Sequence, residues 1–404
     1  MALFGNISRR GLFRAGVATG VAATTIGVMA GCRHSSNEAS DPVVVDERAA
    51  KNILAEEGGY IEADLSLQET ARWELDAGTV LRQAQGTWIP ALAPGATAFP
   101  MVKAAALSTK TGELSDVITT MVMGSEPNMA IYDARCSDEV YAWVEMDMLK
   151  RVWRLYAQRF KDGAVSGEVS TLWEDDANFD PPHFAVSDNA VIWQVAPSLS
   201  GTKTREPSYC YLWHLGDSNA QRVVESPGRF AAPPAISEGT ITLAPRVRAD
   251  EGQYYGITAY SLADDLATVV DQLVLPQSVR PFRAVRMGDR FAFSIEANYS
   301  SGGLLGKMGT YIGAGDGPFI TLVREPAAQV AGKGDVFIVK SRASYFVIDI
   351  AKETFSILGA TNRCVDYGEY PASEGTTSSF LTFATVKDAN TGYPSSVVVR
   401  SFAL

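Results

Sequence analysis

The chain has 404 residues, 46% hydrophobic and 20% charged, with 35 glycines and 19 prolines. That composition excludes a disordered or collagen-like polymer and fits a globular body with many tight turns. The formal net charge is −11, and losing residues 1–31, which hold Arg9, Arg10 and Arg14 and no acid, would take it to −14; so negative a field argues against nucleic acid as a partner.

The amino terminus reads as an address. Ser8-Arg9-Arg10-Gly11-Leu12-Phe13-Arg14 precedes an apolar run from Ala15 to Ala30 that ends in Val28-Met29-Ala30-Gly31-Cys32. The run is too short, and too rich in small residues, for a comfortable membrane span. The arginine pair, Arg9 and Arg10, resembles the twin-arginine export signal, and the small residues before Cys32 resemble a lipobox. Together the resemblances imply a signal peptide over 1–31, lipidation of Cys32, and anchoring to the outer face of a bacterial cytoplasmic membrane. Each buried acyl CH2 contributes about 0.8 kcal/mol, so two or three chains hold a protein stably. Residues 32–58 read as a polar lipidated tether with one short helix near 46–55, and the folded body as 59–404. With Cys32 modified, Cys136, Cys210 and Cys364 remain; none forms a CxxC pair, so buried free thiols are expected.

A repeat organises the body. Turn residues precede strand-like runs at Gly86, Asp138, Asp188, Glu238, Gly288, Gly334 and Gly375, with three consecutive intervals of 50 residues. In chain order the unit beginning near 129 carries NMAIYDARCS, EVYAWVEM, WRLYAQRF and VSTLWE. The next carries HFAVS, AVIWQVA, SYCYLWHL and QRVVES, then PAISE, TITLAP, YYGITAYSL and TVVDQLVL. FRAVRM, RFAFSIEA, MGTYIG and FITLVRE follow, and after them AAQVAG, VFIVKS, SYFVIDI and TFSIL. Four short strands per unit of that length is the pattern of a propeller blade. The reading is an all-β, seven-bladed β-propeller of four-stranded antiparallel blades. The last unit, SSFLTFAT and SSVVVRSFAL, ends one strand short, so residues 70–76 are expected to pair with the carboxyl-terminal blade and close the ring, removing an open edge.

Over residues 70–404 this pattern resembles the TolB-like and WD40-like propellers, and among them twin-arginine-exported lipoproteins of actinobacteria. The Trp-Asp endings of true WD40 repeats are missing. The resemblance implies a fold and leaves the activity open.

Chemistry is sparse. HExxH, CxxC and GxSxG do not occur, and no catalytic residue, cofactor or metal is assigned. His34 lies in the tether, His183 at the start of an innermost strand near the pore, and His214 away from it. Asp133, Asp180, Asp366 and Glu369 are the carboxylates near the pore mouth, and a pair of them would serve a carbohydrate-active enzyme, the alternative function. Asp176-Ala177-Asn178-Phe179-Asp180 alternates oxygen ligands but has Pro181 and Ser187 where an EF-hand needs Gly and Glu.

Charge sorts by face. Loops from second to third strand carry Lys150, Arg151, Lys203, Arg205, Arg246, Arg248, Lys307 and Lys387, and blade connections add Arg229, Arg280, Arg283 and Arg363. The opposite face carries acids such as Asp138, Asp188, Glu238, Asp335 and Glu374. Long loops on a rigid scaffold are where binding concentrates. The candidate ligand site is therefore Lys203, Arg205, Arg229, Arg246, Arg248, Arg280, Arg283, His183, Asp366 and Glu369. It suits a binding or scaffolding module for an anionic envelope polymer, peptide or glycan. A monomer is expected.

Overall fold

The computed structural model describes residues 50–277, 279–295, 308–315, 317–323, 329–365 and 368–404. The signal sequence, Cys32 and His34, and also Lys307 and Asp366, lie outside the described residues. Among those described, every regular element is a β-strand.

Six blades are each a meander of four main strands from one stretch of chain. Blade 1 uses Val80–Leu81, Trp88–Pro94, Met101–Ser108 and Leu114–Ile118. Blade 2 uses Met129–Cys136, Val140–Asp147, Val152–Lys161 and Ala164–Asp175. Blade 3 uses Phe184–Ser187, Ala190–Val195, Ser208–His214 and Gln221–Ser226. Blade 4 uses Ala235–Ser237, Thr240–Leu243, Tyr254–Ser261 and Val269–Val274, with Arg246–Val247 added. Blade 5 uses Pro281–Met287, Arg290–Ile295, Gly309–Gly313 and Ile320–Val323. Blade 6 uses Val330–Lys333, Val336–Lys340, Ser344–Asp349 and Thr354–Gly359.

A closing sheet completes the architecture. It combines Tyr370–Pro371, Ser379–Lys387 and Pro394–Ala403 with the amino-terminal strand Glu69–Asp76. That strand runs antiparallel to the last one, with Trp73 opposite Val399 and Asp76 opposite Ser396. The zipping of residues 70–76 onto the carboxyl end is as the sequence implied.

The expectation of seven equivalent four-stranded antiparallel blades is corrected. Only six blades are uninterrupted meanders, and the closing sheet is a composite whose innermost strand is two residues long. Nor are all the sheets four-stranded or purely antiparallel. Lys51–Asn52 adds in parallel to the outer strand of blade 5, and Ile61–Glu62 to that of blade 6. Gly375–Thr376 adds in parallel to the inner strand of blade 6. Residues 50–62, expected to include tether and helix, thus form a belt in which Ile53 is fully buried and Tyr60 nearly so.

The fifty-residue rhythm has a physical basis in the hairpins between first and second strands. Asp188 and Glu238 have φ of 47° and 48°, and Gly288 and Gly334 of 62° and 59°. Left-handed turns of this kind match the twist of a tight hairpin. Neighbouring hairpins then bind one another: Asp138 accepts from the Thr87 amide at 2.8 Å, Glu238 from the Gly288 amide at 2.8 Å, and Asp335 pairs with Arg290 at 3.0 Å. Second strands such as Val140–Asp147 and Ala190–Val195 are buried at every position, because the sheets stack face to face and cover both sides. Each face-to-face interface is apolar; between blades 2 and 3 it holds Trp153, Trp193, Val144 and Val191. The closing sheet meets blade 1 through Leu75, Val397 and Val399 against Leu81, Ile89 and Leu107.

Candidate functional site

The innermost strands surround a central channel, and the sequence places like positions around it. Arg82, Asp133, His183 and Arg283 recur at the interval of the repeat, on or beside the inner strands of blades 1, 2, 3 and 5. Asp133 accepts from Arg82 Nε at 2.7 Å and from Arg135 Nη1 at 2.6 Å. The Arg283 side chain has no hydrogen bond or ion pair among the described residues and is half-buried.

The mouth opens where the inner strands begin. A cavity of about 280 Å³ there is lined by Tyr132, Met146, Arg151, Asp180, His183, Gln194, Arg229, Phe230, Arg280 and neighbouring small residues. Asp180 is held by Arg229 Nη2 at 2.8 Å and Arg151 Nη2 at 3.4 Å. Arg229 also donates through Nη1 to the Pro197 carbonyl, while its buried Nε has no partner. Arg280 is exposed at the rim, with no ion pair among the described residues.

His183 is exposed in the cavity yet walled in by the surrounding strands. The walls govern its charge, because an ion is solvated by more than its first layer of water. Burial pushes the imidazole down to about 4, with Arg283 next in effect, Arg135 and Arg229 acting the same way and Asp133 opposing. The ring is neutral at pH 7.

The opposite end of the channel is closed. Glu374 accepts from Gln83 of blade 1, the Thr376 amide donates to Ser237 Oγ of blade 4 at 3.0 Å, and the Thr377 amide donates to the Gly332 carbonyl of blade 6 at 2.9 Å. Blades 1 and 4 lie on opposite sides of the ring, so residues 374–377 cross the axis. Gly375 permits the crossing: its φ is +77°, and a Cβ there would lie 2.8 Å from Ser237 Cβ. Burial raises the Glu374 carboxyl, while Arg283, Gln83 and Arg135 oppose. Arg135 and Arg283, on the inner strands of blades 2 and 5, act on both His183 and Glu374. The channel is a blind well.

The remaining expected site residues scatter. Lys203 pairs with Glu206 at 2.9 Å and lies 5.2 Å from the centre of the Phe179 ring. Arg205 is exposed. Arg246 packs its stem over Gly228, and Arg248 pairs with Glu251 at 3.1 Å. Glu369 is not at the mouth: it is fully buried, gripped by Arg400 at 2.7 and 2.6 Å, and accepts from the Thr361 amide at 2.7 Å. Glu145 is likewise interior, cradled by the amides of Val122 and Met123 and the Trp143 indole. His214 sits away from the well, 2.9 Å from Asp265. In the loop with alternating oxygens, Asp176 caps the turn by accepting from the Asn178 amide at 3.0 Å. Cys136, Cys210 and Cys364 are free thiols; burial pushes all three up in pKa.

No family model and no curated protein matches the chain. Solved structures do resemble it. Oligopeptidase B from Leishmania major shares 9% identity at a TM-score of 0.50, over 77% of this chain and 46% of that one. A prolyl endopeptidase shares 12% identity at 0.48, over 80% and 47%. The β-propeller domain of the Trilobed protease from Pyrococcus furiosus shares 11% at 0.41, over 63% and 79%. The chain therefore spans about half the length of the first two proteins. At such identities the likeness is one of fold: a β-propeller similar to the propeller domains of peptidases.

Proposed function

We propose that the protein is an extracytoplasmic binding propeller, tethered by lipid at Cys32 after twin-arginine export, whose blind well receives an anionic ligand. One observation carries the binding part. Among the described residues, the cavity at the mouth is lined by three arginines, Arg151, Arg229 and Arg280, and one carboxylate, Asp180, with a second cluster of Arg82 and Arg135 about Asp133 on the inner strands. A concave, low-dielectric site with surplus cationic groups focuses anions toward it. The address rests on Arg9, Arg10 and Cys32 in their sequence contexts.

The alternative, glycoside hydrolysis, finds less support. It needs a proton-donating carboxyl and a second carboxylate across the substrate. Asp133 and Asp180 are each clamped by two guanidiniums, and Glu369 is sealed in an interior pair. The carboxyl raised by burial, Glu374, is hydrogen-bonded in the floor.

A thermal-shift screen of the purified full chain against matched anionic and neutral peptides and glycans tests the binding reading. Anionic members should raise the transition, and added salt should reduce the effect. Hits among neutral members, or hits indifferent to salt, would overturn it. The address is tested by fatty-acid labelling in cells, which Cys32→Ser should abolish.

A further inference from the structure

We infer that the well takes the free carboxylate end of a short peptide, and excludes the interior of a chain. This rests on the anion-binding reading above and adds to it the shape and chemistry of the walls. A chain threaded along the axis needs two openings, and residues 374–377 close one of them with hydrogen bonds to blades 1, 4 and 6. An anion in mid-chain would have to enter folded double to reach Arg283.

The walls select among chain ends. Beside the guanidiniums the mouth presents Met146, Pro181, Phe230, Ala231 and Pro233. That mixture suits a carboxylate carried on a carbon with an apolar substituent, as at the last residue of a peptide. A sugar acid would instead call for hydroxyl-binding groups and stacking platforms, and among the described residues Tyr132 is the single aromatic ring besides Phe230 and His183 in the lining. A carboxylate is planar and accepts two parallel N–H bonds from one guanidinium. Arg280 in the lining, and Arg283 on the inner strand of blade 5, have no ion pair among the described residues and so have donors to spare. Arg229 holds its place by Asp180 and the Pro197 carbonyl, with a buried Nε still unpartnered. The neutral His183 ring offers a nitrogen to the peptide's backbone without adding charge.

The test uses the full chain and three tripeptides with the same neutral fluorescent label, followed by anisotropy. One has a free terminal carboxylate, one is its terminal amide, and one is an amide with a glutamate in the middle. The free acid should bind at least about tenfold more tightly than the amide, and the interior glutamate should bind no better than the amide. Arg283→Gln should abolish the preference of the free acid over the amide. Should that variant not fold, Arg280→Gln makes the same comparison at the rim. Equal binding of the free acid and the interior glutamate would overturn end selection while leaving anion binding intact. If neither acid outperforms the amide, the anion-binding reading falls with it.

Discussion

Two arginine–carboxylate clusters, one in the closing sheet and one at the mouth, use the same chemical groups to opposite ends. Arg400 grips fully buried Glu369 with two nitrogens, and the carboxylate also accepts from the Thr361 amide and the Thr382 hydroxyl. Arg400 spends a further bond on the Gly359 carbonyl at 2.8 Å. Such a pair is complete; it fixes the sheet that joins the chain's ends, and nothing remains to attract a ligand. At the mouth, Asp180 takes two guanidiniums and leaves a buried Arg229 nitrogen unused, with Arg280 and Arg283 free of ion pairs among the described residues. On the proposed reading, unfilled valence, rather than the presence of charge, would separate a recognition site from a structural one.

The largest effect should come from dismantling the complete pair. Glu369→Ala strands a buried guanidinium and should cost about 3–5 kcal/mol in denaturant unfolding; a loss within about 1 kcal/mol would mean that water reaches Arg400. Gly375→Ala forces a side chain into a left-handed backbone and against Ser237, and should cost about 2 kcal/mol. Arg280→Gln should leave stability within about 0.5 kcal/mol while weakening the free-acid peptide about tenfold; the reverse pattern would make the rim arginine structural.

The smallest effect concerns pH. His183 resists protonation in the fold until about 4, whereas the unfolded chain takes the proton near 6.5. Its contribution is therefore intact above 6.5 and is lost as pH falls from there toward 4. Unfolding curves of the protein and of His183→Gln should diverge only in that window, and a constant offset would mean that the ring is freely solvated.

Much of the fold was legible because hairpin turns demand particular residues. Asp188, Glu238-Gly239, Gly288 and Gly334 mark where left-handed backbone is needed, and their spacing is the blade's length. The belt was not legible: Lys51–Asn52 and Ile61–Glu62 are two-residue strands, too short for any alternation to show. Glu369 looked like a mouth residue from its place before an inner strand, but its partner, Arg400, lies 31 residues away across the closing sheet. Arg82 shares its repeat position with Asp133, His183 and Arg283, but the strand beside it is only two residues long and carries little strand signal. Gly375 was recognised as a turn, but nothing local announces that the turn reaches across the axis to Ser237.

The belt also decides how the molecule bears tension. A pull applied near Ala50 meets the edge of blade 5 first, then that of blade 6, and only afterwards the strand Glu69–Asp76 that seals the ring. Two short attachments thus stand in series ahead of the seam.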